Sequence, residues 1–151
     1  MKFNPYYAAY GSNLNHEQMA TRCPDARFIG VGILQDHRLV FRRVADIEHE
    51  KNSEVYVGLW KITRKCLQAL DRYEGFPSLY GRKTVKVYAP YSDNYCDATI
   101  YFMKETEFYE PPLVTYYQSI EQGYKDCMIP AWRLVKHLER ASELYYEGDY
   151  V

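Results

Sequence analysis

The chain has 151 residues, 47% hydrophobic and 26% charged, and its 19 basic side chains nearly balance 20 acidic ones for a formal net charge of −1. That length suits one domain spanning residues 1–151, and a chain of about 150 residues buries roughly 70% of the surface its unfolded form exposes. The composition excludes a disordered or fibrous chain. The charge balance excludes an electrostatic footprint for nucleic acid, and no apolar run nears the ~20 residues of a membrane span.

The opening MKFNPYYAAYGSN lacks the uninterrupted apolar stretch of a signal peptide, so a cytoplasmic protein, monomeric or weakly homodimeric, is expected. Tyr6 to Tyr10 reads as a short buried strand that meets the turn signal Gly11-Ser12-Asn13, with Ser12 or Asn13 capping the helix that follows. His16 to Arg22 makes one or two helical turns, stopped by Pro24. Arg27 to Leu34 and His37 to Arg43 read as two strands of a hairpin joined at Gln35-Asp36, and Ile47 to Ser53 as a polar loop.

Glu54 to Ile62 alternates, with Val55, Val57 and Leu59 on one side and Tyr56, Gly58 and Trp60 on the other. Thr63 then caps a helix that runs to Glu74, with Gly75 just past its end. Arg82 to Ala89 and Cys96 to Met103 are strands joined by a turn at Pro90 to Asn94. After Pro111-Pro112 the pattern is helical, from Leu113 to Lys125 and from Ala131 to Tyr145, with Leu134, Leu138, Ala141 and Tyr145 on the core stripe of the last helix. This order reads as an α+β fold around a mostly antiparallel sheet or barrel.

Metal chemistry finds little support. Cys23, Cys66, Cys96 and Cys127 form no C-x-x-C pair and the four histidines no H-x-x-x-H pair. The acidic run Asp46, Glu48, His49 and Glu50 adjoins Lys51, Asn52 and Ser53, which reads as a solvated loop rather than a ligand set.

Two places carry chemistry. At about 100° per residue, Leu67, Leu70 and Glu74 fall within about 60° of one another, so Glu74 points inward with the leucines. It also lies in the last helical turn, where burial and the macrodipole both raise a carboxyl pKa towards the range of a general acid/base. The second place is Tyr10-Gly11-Ser12-Asn13-Leu14, where a strand ending in glycine meets a helix start and free N–H groups converge. Such a cradle suits a carboxylate, since it lacks the pattern of a phosphate loop. Ser12 as a nucleophile needs a base, and His16, His37, His49 and His137 lie in segments that give no hint of convergence; Cys23 is weaker still.

Together the stretches Tyr7-Ala8-Ala9-Tyr10-Gly11-Ser12-Asn13-Leu14, Arg22-Cys23-Pro24 and Leu70-Asp71-Arg72-Tyr73-Glu74-Gly75-Phe76-Pro77, with Tyr80 and Arg82, resemble the gamma-glutamyl cyclotransferase-like family. The resemblance implies an α+β domain with a mixed, mostly antiparallel barrel-like sheet, flanking helices and one cavity. It implies an enzyme, independent of metal and cofactor, that cyclises a small gamma-glutamyl amide to 5-oxoproline and expels the attached amine. The catalytic acid/base then falls on Glu74, and the glutamyl-binding residues on Tyr7, Ala8, Ala9, Tyr10, Gly11, Ser12 and Asn13, with Tyr80 and Tyr116 near the substrate. The Pro111-Pro112 region would shape the leaving-group side, while Asp93, Glu105, Glu107 and Glu110 read as solvated loop charges.

Two other functions fit the same fold: a non-catalytic small-molecule or partner-binding module, and a hydrolase or acyltransferase of gamma-glutamyl amides. Of the chain's 17 tyrosines, only Tyr7, Tyr10, Tyr80 and Tyr116 have a motif reason to converge on Glu74. The helical wheel turns Tyr73 away, and Tyr145, Tyr146 and Tyr150 belong to the background.

Overall fold

The computed structural model describes residues 2–148; Tyr150 lies outside them. Its strands are β1 (Tyr6–Ala9), β2 (Arg27–Arg42), β3 (Val44–Lys61), β4 (Tyr80–Ala89) and β5 (Asn94–Met103). Its helices are α1 (His16–Arg22), α2 (Arg64–Glu74), α3 (Val114–Asp126) and α4 (Ala131–Gly148), with a 3-10 turn at Ser12–Leu14. The strands close into a barrel in the order β1-β3-β2-β4-β5. All neighbours are antiparallel except β1 and β5, which run parallel where Tyr7 faces Thr99. The sheet is therefore mixed and mostly antiparallel, as expected.

Two expectations fail in the β2–β3 region. Gln35-Asp36 is not a hairpin turn: β2 continues through it across a bulge, with Asp36 at φ 59° and its carboxylate accepting from Asn52 N–H at 3.0 Å. The reversal comes at Arg43 (φ 68°), and residues 47–53 are strand rather than loop. Paired strands satisfy each other's backbone groups, so an arm can remain sheet with polar side chains on both faces, and the hydrophobic alternation that marks a half-buried strand is then absent. The arm is laced instead by side chains: Arg38 bonds Glu48 and Glu50, and His37 stands edge-on to His49, 5.7 Å between centroids.

The acidic run on this arm is equally unlike a solvated loop. Asp46 is buried and ion-paired to buried Arg42 at 2.9 Å, and its other oxygen accepts from Met103 N–H at 2.9 Å. Arg42 also holds Glu48 and donates to the carbonyls of Thr106 and Phe108, which pins the segment after β5 onto the hairpin.

The helix ends follow their caps. Asn15, and not Ser12 or Asn13, caps α1, its side chain accepting from Gln18 N–H at 3.0 Å. Thr63 caps α2 by accepting from Cys66 N–H at 3.1 Å. Gly75 ends α2 in the left-handed region (φ 64°), which lets Phe76 N–H reach Asp71 O at 2.9 Å. This closure fixes where the last residue of α2, Glu74, must point.

Candidate active site

A cavity of about 190 Å³ opens where β1, the 3-10 turn, the end of α2 and the start of β3 meet. Glu74 lines it together with Tyr7, Ala8, Tyr10, Gly11, Ser12, Asn13, Tyr80 and Tyr116. Of the residues expected from the sequence, only Ala9 is not in its wall; it is buried in the hydrophobic core. Pro111 and Pro112 do not reach it either.

Glu74 is half-buried, and among the described residues no hydrogen bond or ion pair meets its carboxyl. Burial pushes its pKa up to about 7, against a smaller downward pull from the charge of Arg22. A carboxyl titrating there exchanges protons in either direction at neutral pH.

The tyrosines do converge on this acid, but mainly as bracing. Tyr10 donates to Tyr101 O at 2.7 Å and Tyr80 to Ala45 O at 2.8 Å, so both protons are used within the protein. Tyr7 accepts from the Asn13 amide at 3.0 Å and Tyr116 from Ala45 N–H at 3.0 Å. Those two hydroxyls keep a proton to give to a ligand. Burial raises the pKa of all four phenols above the ordinary value, so they remain neutral donors or acceptors.

Backbone geometry supplies the cradle. The first internal bond of the 3-10 turn runs from Leu14 N–H to Gly11 O at 3.0 Å, which leaves the N–H groups of Ser12 and Asn13 ahead of it. Backbone approaches its neighbours closely at Gly11: a Cβ there would lie 3.2 Å from the Ala45 methyl and 3.3 Å from the Tyr116 hydroxyl, a crowded fit that those side chains would have to yield to. From below, the Asn15 amide ties the turn to Ser119 O of α3 at 3.2 Å.

Sequence reasoning missed Val44, Ala45, Tyr73, Leu79 and Tyr101, which also line the cavity. Val44 and Ala45 arrive through the hairpin turn, whose position was misread. Tyr73 was turned away by the wheel, yet its long side chain bends back until its hydroxyl meets Ser12 Oγ at 3.0 Å. A wheel reports the direction of Cβ and not the reach of a phenol. Tyr101 donates to Asp71 at 2.6 Å, and Asp71 also pairs with Arg82, so Asp71 is occupied by structure and not free for proton transfer.

The parts of a nucleophile–histidine pair are not brought together at this cavity among the described residues. No histidine lines the cavity; His16 packs against Phe28 and Trp60 instead. Burial pushes the Cys23 thiol up to about 12. Among the described residues no group of three or more His, Cys, Asp or Glu is placed to hold a metal ion, and no helix is long and apolar enough to cross a membrane.

The family model described as gamma-glutamyl cyclotransferase, AIG2-like, matches residues 7–124, a span that holds both the turn and the acid. The chain belongs to this family. The human protein named gamma-glutamylcyclotransferase is 33% identical over 137 residues, covering 82% of this chain and 72% of that one. The protein of the same name from Bos taurus is 36% identical over 84 residues, 48% of this chain and 45% of its own. Among solved structures, a gamma-glutamyl cyclotransferase superposes with a TM-score of 0.76 at 28% identity, covering 92% of this chain and 86% of its own. YkqA from Bacillus subtilis gives 0.73 at 26% identity, covering 91% and 55%. The barrel described above is thus the gamma-glutamyl cyclotransferase fold.

Proposed function

We propose that this family member is a cofactor-independent enzyme that converts small gamma-glutamyl amides into 5-oxoproline and a free amine, with Glu74 as the proton carrier. The observation that carries the proposal is an unpaired carboxyl with a pKa near 7 beside a cradle of backbone N–H groups, in a cavity walled by neutral hydroxyls.

The substrate's α-amine, in its neutral form, attacks its own γ-carbonyl carbon. A C–N bond forms, the carbonyl π pair moves onto oxygen, and the attacking nitrogen becomes cationic. The Glu74 carboxylate takes a proton from that nitrogen. As a carboxylic acid it then donates the proton to the departing nitrogen; the amide C–N bond breaks and the carbonyl re-forms. One residue serves both transfers because its proton affinity lies between those demands.

Ring closure is intramolecular, so the protein's main task is to hold the glutamyl chain curled with amine facing carbonyl. The N–H groups of Ser12 and Asn13 and the free protons of Tyr7 and Tyr116 are the donors for the substrate carboxylate and for the oxyanion as it develops. The small cavity accommodates the glutamyl part, and the leaving group extends past Leu79 and Tyr73, the lining residues exposed to solvent.

The test is a panel of gamma-glutamyl amino acids, gamma-glutamyl amines and glutathione, assayed with the wild-type protein and with Glu74→Gln. Release of 5-oxoproline by the wild type and its loss in a folded Glu74→Gln is the expected result. Free glutamate would instead mark a hydrolase, and binding without turnover a non-catalytic module. Undiminished 5-oxoproline release by Glu74→Gln would overturn the role given to this residue. Because the carboxylate is the form that accepts the first proton, kcat/KM should fall as the pH drops below about 7.

A further inference from the structure

Arg22, the last residue of α1, touches the site without lining its cavity. Its guanidinium lies over the Tyr73 ring, 3.6 Å from the centroid, and donates to Asn13 Oδ1. Among the described residues it pairs with no carboxylate. We propose that Arg22 is a positioning residue for cyclisation: it acts through Asn13 and Tyr73, two side chains that line the cavity together with Glu74. This inference rests on the reading of Glu74 as the base.

The hydrogen-bond logic runs along three residues. A guanidinium only donates, so Arg22 obliges the Asn13 amide to present its oxygen outward and its NH₂ to Tyr7. Tyr7, having accepted that bond, keeps its own proton for the cavity. With Arg22 gone the amide is free to turn over, and the Tyr7 proton would then be spent on Asn13. On the other side, the stacked guanidinium steadies Tyr73, the residue preceding Glu74, whose hydroxyl meets Ser12 at 3.0 Å.

Glu74 is faced mainly by groups that carry no charge at neutral pH. Tyr7 of β1, Tyr10 just after it, Tyr80 of β4, Tyr101 of β5 and Tyr116 of α3 surround it with hydroxyls, and Tyr73 adds another from its own helix. Burial raises the pKa of Tyr7, Tyr10, Tyr80, Tyr101 and Tyr116, so these supply no charge at neutral pH. Cys23, next to Arg22, is likewise held as a neutral thiol by burial. Asp46 of β3 is tied to Arg42, and Asp71 of α2 to Arg82. Arg22 is the cation whose field reaches both Glu74 and Tyr116.

Wild type, Arg22→Lys and Arg22→Gln are compared in two readouts: the ¹³C carboxyl titration of Glu74 and the pH profile of kcat/KM. Arg22→Gln should raise the Glu74 midpoint by about one unit. The acid limb of kcat/KM should move with it, so that a loss of about fivefold at neutral pH shrinks as the pH rises. Arg22→Lys should keep the midpoint but recover only part of the rate, since an ammonium lacks the planar fork that both stacks and holds Asn13.

An unchanged Glu74 midpoint in Arg22→Gln overturns the inference. A midpoint that moves while the kcat/KM limb stays put overturns Glu74 as the base and, with it, Arg22's part in the reaction. Arg22→Met, which keeps the packed stem, replaces Arg22→Gln if the latter does not fold. Should neither fold, the wild-type titration decides: screening of Arg22 from about 0.02 M to about 0.5 M salt should raise the Glu74 midpoint, and a constant midpoint overturns the proposal.

Discussion

Asp46 and Glu74 are carboxylic acids withdrawn from water on elements that wall the same cavity, yet their surroundings differ in kind. Asp46, 1% exposed, has a donor for each oxygen, from Arg42 and from Met103 N–H, and sits where the hairpin is clamped to the segment after β5. Glu74 sits at the end of a helix beside the hydroxyls of Tyr10 and Tyr80, whose protons are spent on backbone carbonyls, and among the described residues no donor meets it. A buried carboxylate with a donor on each oxygen, one of them a guanidinium, is tied into the architecture. One without partners is poised between two states, which is the property a proton carrier needs. On the proposed reading, what separates Glu74 from Asp46 is burial without a partner and not burial alone.

Exchanging each acid for its amide breaks this comparison most directly. Glu74→Gln should cost about 10²–10⁴-fold in kcat/KM while the protein stays folded, as read by 5-oxoproline release alongside circular dichroism. Asp46→Asn should keep most of the turnover per folded molecule and lose stability instead. A Glu74→Gln variant that lost its fold, or an Asp46→Asn variant that was folded and inactive, would reverse the roles assigned here.

Truncation of the paired acid comes next. Asp46→Ala leaves Arg42 buried with Glu48 as its remaining carboxylate, and the expected loss is about 3 kcal/mol in urea unfolding. A loss under about 1 kcal/mol would mean that the clamp is not a structural keystone.

A stability effect of similar size and opposite sign is expected at Glu74. Its folded pKa, about 7, lies above the ordinary 4.5, so the native state binds the proton more tightly than the unfolded chain does. Native stability is therefore undiminished below the ordinary value, declines as the pH rises from there to about 7, and levels off beyond. Glu74→Gln removes that decline. It should match wild type under acidic conditions and exceed it by up to about 3 kcal/mol above neutrality, in paired denaturation curves across pH. A stabilisation independent of pH would locate the effect outside the carboxyl.

The smallest effect is expected at the bracing hydroxyls. Tyr80→Phe leaves Ala45 O without its donor and should cost about 1–2 kcal/mol. Because Ala45 is a wall of the cavity, KM should rise more than kcat falls; a selective fall in kcat would instead give Tyr80 a part in the chemistry.

Local signals in the sequence mark several of these features. Thr63 and Gly75 bracket α2, the 3.6-residue period places Glu74 with Leu70, and Gly11 announces a turn where backbone comes close to other atoms. Each depends on residues near in sequence, so each is legible without the fold. The errors share the opposite character. The β2–β3 arm lacks hydrophobic alternation because its polar faces are satisfied by Arg38, Glu48 and Glu50 across the ladder, a pairing that no single strand displays. Asp46 reads as solvated until Arg42, four residues away, and Met103, far along the chain, are brought to it.

The sequence by itself thus determined the α+β class, the helix that carries Glu74, the inward aim of that residue and the glycine turn opposite it. These follow from backbone periodicity, capping and steric freedom, which act over a few residues. Only the tertiary structure decided that Val44 and Ala45 complete the wall, that Tyr73 and Tyr101 join the cavity, and that Asp46 is consumed by a clamp while Glu74 is left unpaired. Whether a buried polar group finds a partner depends on chain segments brought together by barrel closure, and no local pattern encodes that.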